Sequence, residues 1–346
     1  MRIKCPEYKE WKKYQNLKNL KKRTKKRKRK KIRLRKSKKI YQRIIAPATL
    51  SLVNNPEETL QYFNNAIQIL KNPFNKNKVN ALMFDCKSVK TLTIDSLMYL
   101  LAIIRNFKDV FSGIREIKGN LPDDPTARKI FIDSGFLDYV NTTIKTDIET
   151  EKRNKLKIST GSNVNVGEAS NLIEFVKNYF KCSNVETKFL YKMIIELMTN
   201  THNHAYNSKH SFIKAWYLFA AVNHNKDCIE ITFVDTGDGI PVTVAKKTIE
   251  KIFTKKDNEY IISALNGDFR TQTHEKNRGK GLPDIYEHFC SGQISNLKII
   301  SCKGKIELNE YNKVVENAGT ELENNLRGTI FYWEVKIRKE SDKSDN

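Results

Sequence analysis

Histidine is missing from the first 201 residues of this 346-residue chain; all six histidines stand at or after His202. No phosphohistidine chemistry can therefore arise upstream of that point. Cysteine is sparse, with six residues (Cys5, Cys86, Cys182, Cys228, Cys290, Cys302) and no C-x-x-C pair. That scatter argues against a disulfide scaffold or a zinc ribbon and fits reduced thiols. Long apolar runs are also absent. The two best, around Leu97–Ile104 and Ala215–Val222, fall well short of the roughly 18 residues of a membrane span and read as core elements. No apolar leader opens the chain, so secretion is not expected and a cytoplasmic location is.

What is present is a globular body with a basic arm. Hydrophobic residues make up 39% and aromatics 10%, enough for real cores. The net charge of +24 is very uneven: residues 1–43 hold 22 Lys/Arg and two Asp/Glu, and the remainder is nearly neutral. Lys21–Lys31 is the densest stretch. Like charges repel, so the arm is expected to be disordered. Phosphate polyanions are its natural partners, because each contact releases counterions, and residues 12–39 are the expected nucleic-acid contact. No aromatic interrupts the Lys21–Lys31 run, so base stacking is not expected.

Residues 44–140 alternate helix and strand patterns. Leu60, Phe63, Ile67 and Leu70 fall on one face of a helix over Pro56–Leu70. Val79–Phe84 and Ile114–Ile117 read as strands. Ile94–Phe107 reads as an apolar helix with Asp95 as N-cap, and Asp124–Ser134 as a helix stopped by Gly135. This predicts a small α/β domain. Residues 141–165 are polar and read as a linker, 166–340 as a second domain, and 341–346 as a tail.

The stretches Leu82-Met83-Phe84-Asp85, Thr93-Ile94-Asp95-Ser96-Leu97 and Ser134-Gly135-Phe136 resemble the STAS fold of anti-sigma antagonists in order and spacing. Phospho-switched members carry a serine two positions after the aspartate of D-S-S-G-L. Leu97 stands there in this chain, with Ser96 beside it.

Four further motifs lie in the second domain. Glu196, Asn200 and His204 sit at i, i+4 and i+8 of an apolar-periodic helix, hence on one face. A solvated polar face is the other reading of that spacing. Asp235-Thr236-Gly237-Asp238-Gly239 follows an apolar strand, Cys228–Val234, where ligand sites of α/β sheets concentrate; alone it could be a tight turn. Asn277-Arg278-Gly279-Lys280-Gly281 opens a helix toward Phe289. Its backbone N–H groups would suit phosphate, although it is not a Walker A loop. Arg327-Gly328-Thr329 begins a final apolar strand.

The order of these motifs resembles the GHKL ATPase superfamily of gyrase, the heat-shock chaperone ATPase, MutL and histidine kinases. The E-x-x-x-N-x-x-x-H-A-Y pattern from Glu196 to Tyr206 is most similar to anti-sigma-factor serine kinases. The resemblance implies a Bergerat-type α/β sandwich, a mixed sheet with helices on one face. It implies ATP and Mg²⁺ as cofactors, with Glu196 as general base or nucleophile-positioning group and Asn200 as magnesium ligand. Asp235 would accept the adenine amino hydrogen, with Gly237 and Gly239 packing on the purine. Arg278, Gly279, Lys280 and Gly281 would hold phosphates, and Thr329 would support the base site. Residues 242–278 would form an ATP lid carrying Lys255, Lys256 and Arg270.

An autophosphorylating histidine kinase is not expected, since no histidine precedes the ATPase motifs. The short stretch after Arg338 predicts no gyrase-type transducer within the chain. Two function classes remain. One is a regulatory ATPase or ATP-dependent protein serine/threonine kinase acting on a protein partner, for which dimers are common. The other is a nucleotide-gated binding module, tethered to nucleic acid by the arm, with little or no turnover.

Overall fold

The computed structural model describes residues 41–71, 81–110, 116–142, 154–204, 215–245, 255–268 and 281–337, together with Lys18 and Lys22. The rest of the basic arm and the 341–346 tail lie outside the described residues. The chain is mixed α/β, with eight helices and three sheets among the described residues. No helix among them is long and apolar enough to cross a membrane.

The N-terminal unit is built on a three-stranded parallel sheet, β1 (Tyr41–Ile45), β3 (Ala81–Asp85) and β5 (Glu116–Gly119), in the order β1-β3-β5. Parallel neighbours need helical crossovers. Helix α1 (Pro56–Lys71) links β1 to β3, and α2 (Ile94–Val110) links β3 to β5. A two-residue pair, β2 (Thr49–Leu50) with β4 (Thr91–Leu92), flanks the sheet. The predicted face of α1 is the buried one: Leu60, Phe63, Ile67 and Leu70 all lie in the core. Helix α3 (Pro125–Asp133) starts at the Asp124 N-cap, which accepts the Ala127 N–H at 2.9 Å, with Pro125 in its first turn.

Two expectations change here. Tyr41–Arg43, assigned to the arm, are the first residues of β1. Asp95 is not an N-cap: it is the second residue of α2, and its buried carboxylate accepts the Leu52 N–H at 2.6 Å and the Val53 N–H at 3.2 Å. Ser96 is fully buried and accepts the Leu52 N–H at 3.0 Å. The β2–α1 turn folds over the start of α2 and takes both side chains as backbone acceptors.

The C-terminal unit is a five-stranded sheet in the order β6-β7-β8-β10-β9: β6 (Lys155–Gly161), β7 (Trp216–Asn223), β8 (Cys228–Asp235), β9 (Ser295–Leu308) and β10 (Gly319–Val335). Every pairing is antiparallel, which corrects the expected mixed sheet. The polar segment 141–165, read as a linker, contains β6. Its Lys/Leu/Lys/Ile alternation hid a strand within a polar composition, and Ile158 is buried.

Helices α4 (Val166–Phe180), α5 (Asn184–His204), α6 (Ile240–Ala245), α7 (Asp257–Asn266) and α8 (Gly281–Cys290) line one face of this sheet. Alternation assigns Ile229, Ile231 and Phe233 of β8 to that helical layer. The other face is covered too. Tyr217, Phe219, Val234, Ile300, Leu326 and Ile330 share one apolar core with α1 and α2 of the N-terminal unit. The unit's own helices thus lie on one face, as expected, and the N-terminal unit covers the other, which makes the sheet a middle layer.

Candidate functional site

One row of residues crosses the five-stranded sheet near the C-terminal end of β8. Gly161, Trp216, Asp235, Thr329 and Ser301 are paired in succession from β6 to β9. Alternation turns Asp235, Thr329 and Ser301 toward the helical layer, since Phe233, Phe331 and Ile299, two residues along each strand, lie in that core. Three polar side chains thus occupy inward positions where apolar residues would otherwise stand.

They are held together by hydrogen bonds. The Ser301 hydroxyl accepts the Ile240 N–H at 2.8 Å, donates to the Gly328 carbonyl at 3.0 Å, and lies 3.0 Å from the Thr329 hydroxyl. The Gly237 N–H donates to Asp235 Oδ1 at 2.7 Å. The Asp235–Gly239 turn is thereby tied to β9 and β10.

Two glycines permit this approach. Gly239 has φ +93°, and a Cβ there would meet Cys302 Sγ at 2.7 Å and Ser301 Oγ at 2.9 Å. Gly328 has φ +101°, and a Cβ there would collide with the Asp235 carbonyl oxygen. Both need the left-handed region and the missing side chain. Gly328 is therefore as much part of this turn as the residues of the D-x-G-x-G motif.

Asp235 is half-buried and short of donors. Burial pushes its carboxyl up to about 6, against the Gly237 N–H and the Thr329 hydroxyl, which pull it down. A carboxylate in that state gains from a ligand N–H donor that reaches it.

Glu196 forms the second half of the site. It lies on α5, one turn before Asn200, and both are half-buried. Its side chain packs directly over Gly281, the first residue of α8, where any Cβ would collide with it. Burial and the nearby Asp284 carboxylate raise its pKa. That direction suits a general base, because a higher pKa makes the free carboxylate a stronger proton acceptor. Neighbouring Thr199 and Thr201 turn their hydroxyls back to the Ile195 and Leu197 carbonyls, at 2.7 and 2.9 Å.

The structure thus brings Glu196 together with Gly281, and Asp235 together with Gly237, Gly239 and Thr329. Arg278, Gly279 and Lys280 lie outside the described residues, as does Arg270. The expected lid is corrected over its middle. Residues 257–266 form α7, with Tyr260, Ile261, Ala264 and Leu265 buried, and Asp257 accepts the Lys303 N–H of β9 at 2.9 Å. Lys255 donates to Ser263 at 2.9 Å rather than projecting toward a ligand. The apolar face of α7 needs the sheet, so this part of the segment is anchored.

Two other polar clusters lie away from these residues. A cavity of about 710 Å³ opens between the units and is lined in part by Asp95, Asp133, Lys155, Lys226, Lys298 and Glu334. Its charges pair among themselves, Lys155 with Asp133 at 2.7 Å and Lys226 with Glu334 at 2.6 Å. Cys228, Glu230 and Glu334 offer ligand atoms within 4.8 Å of one another. The Lys226 ammonium already supplies the cation there, and Asn223 donates to Glu230 at 2.7 Å. Neither cluster includes Glu196, Asn200 or Asp235.

Sequence reasoning did not single out Ser301. The available signal was a polar residue breaking the inward alternation Leu297, Ile299 on β9. No protein-family model matches this chain, and no curated protein matches it in sequence.

Proposed function

We propose that the chain binds Mg·ATP on the helical face of its five-stranded sheet and acts as a regulatory ATPase or protein serine/threonine kinase on a protein partner. The observation that carries the reading is the inward row Asp235–Thr329–Ser301, closed by two glycines that admit no side chain. It combines a half-buried carboxylate that has few donors with hydroxyls beside it, a chemistry that fits the amino edge of a purine. The phosphates would run toward the start of α8, where helix N–H groups and the Gly281 backbone favour anions. Asn200 would hold Mg²⁺, which when bound neutralises charge on phosphate oxygens. Glu196, with its pKa raised, would take a proton from water or a partner hydroxyl.

A partner hydroxyl, rather than one at the start of α2, fits the burial of Ser96 and Leu97. The basic arm would bring the protein to polyanions, nucleic acid among them.

The test is incubation of the purified chain with Mg²⁺ and γ-labelled ATP. Free phosphate or label on a protein serine or threonine is expected from the native chain. Glu196→Ala should retain nucleotide binding and lose at least about 100-fold in turnover. Asp235→Asn should weaken binding itself by about tenfold or more. Bound ATP with neither product would favour the nucleotide-gated binding module; absence of binding would end the reading.

A further inference from the structure

The N-terminal unit grips β10 immediately before the glycine that closes the candidate base site. From Thr329 onward β10 is held between β8 and β9. Before that its ladder with β9 slips, between Glu321 and Leu326 and again between Leu326 and Thr329. Backbone groups in a slipped ladder need other partners. Here they come from the other unit. Glu57, in the first turn of α1, accepts the N–H groups of Glu323 at 2.7 Å and Asn324 at 3.2 Å, and the Asn324 amide at 2.9 Å. Asn64, two turns on, donates to the Asn325 carbonyl at 3.1 Å. Tyr99 of α2, 1% exposed, accepts the Arg327 N–H at 3.2 Å. Leu322 and Leu326 enter the apolar core that α1 and α2 share with the sheet.

These contacts end one residue short of Gly328, whose left-handed backbone presses on Asp235 and whose carbonyl accepts from Ser301. We infer that Glu57 and Tyr99 are positioning residues for the nucleotide site, so that docking of α1 and α2 on β10 and nucleotide binding are coupled. The inference rests on the nucleotide reading of that site. Its physical basis is continuity. The N–H groups of Glu323, Asn324 and Arg327 are anchored in one unit, and the next two residues press on Asp235 and pair with it in the other. A ligand that orders Gly328 and Thr329 tightens the grip of Glu57 and Tyr99, and by linkage the grip raises ligand affinity equally.

The experiment uses the full chain and a non-hydrolysable ATP analogue with Mg²⁺. Affinity is measured for the native chain, Glu57→Gln, Tyr99→Phe, Asp235→Asn and Glu58→Gln. Glu58 is exposed, neighbours Glu57 and bonds to Asn55 rather than β10, so it serves as control. Glu57→Gln and Tyr99→Phe should each weaken binding by about three- to tenfold, with Glu58→Gln unchanged. Native affinity in both variants overturns the inference while leaving the nucleotide reading intact. A native chain that binds no analogue removes both. Hydrogen exchange on the native protein covers variants that fold poorly. The amides of Glu323, Asn324 and Arg327 should gain about three- to tenfold protection with analogue bound. Unchanged protection overturns the coupling.

Discussion

Two carboxylates on the same strand pair meet opposite fates. Glu334 lies on β10 opposite Glu230 and is 1% exposed; Asp235 lies on β8 opposite Thr329 and is half-buried. Burial pushes both upward. At Glu334 the Lys226 ammonium at 2.6 Å, the Asn296 amide at 2.7 Å and the Tyr332 hydroxyl at 3.1 Å outweigh it, and the pKa falls below the ordinary value. At Asp235 the donors are too few and the pKa rises to about 6. A satisfied buried acid holds structure. One with fewer donors, on the rim of a turn, is poised for a ligand.

The comparison breaks most sharply at Gly328. A Cβ there meets the Asp235 carbonyl on an unfavourable φ, so Gly328→Ala should destabilise the fold by about 3 kcal/mol or more. Chemical denaturation reads this directly, and a change within about 0.5 kcal/mol would show that the turn is not held as described.

The next effect tests the sign of the Asp235 shift. Its folded pKa is raised from 3.8 to about 6. The stability it contributes is fully present below about pH 4 and is lost as pH rises through about 6, a change of about 2–3 kcal/mol. Asp235→Asn has no such titration. Its stability relative to the native protein should therefore rise by about that amount between pH 4 and pH 7. Denaturation curves at several pH values check it, and parallel profiles for the two proteins would refute the shift.

Glu334→Ala should cost about 2 kcal/mol by stranding the Lys226 and Asn296 donors, while nucleotide affinity stays unchanged. Loss of affinity in that variant would show that the two carboxylates are not independent.

Much of this was legible from residues alone. The spacing of Leu60, Phe63, Ile67 and Leu70 marks the buried face of α1, and Gly135 and Asp124 bracket α3. Asp235 stands at a strand end, as its apolar run implies. The β6 strand was illegible because its two lysines, Lys155 and Lys157, leave only Leu156 and Ile158 as apolar signal. Asp95 was misread because a carboxylate ahead of a helix looks the same in sequence whether it caps its own helix or a neighbouring turn.

Periodicity, punctuation and charge, then, determined five helices, four strands and the separation of a basic arm from a neutral body. Those features depend on neighbours within a few residues, and local stereochemistry is written in order along the chain. Tertiary structure decided three things. It made the sheet wholly antiparallel, and it aligned Asp235, Thr329 and Ser301 across three strands, 94 positions apart at the extremes. It also joined Glu57 and Tyr99 to the approach of Gly328. Register and docking depend on which apolar faces find each other, and no short window of sequence contains both partners.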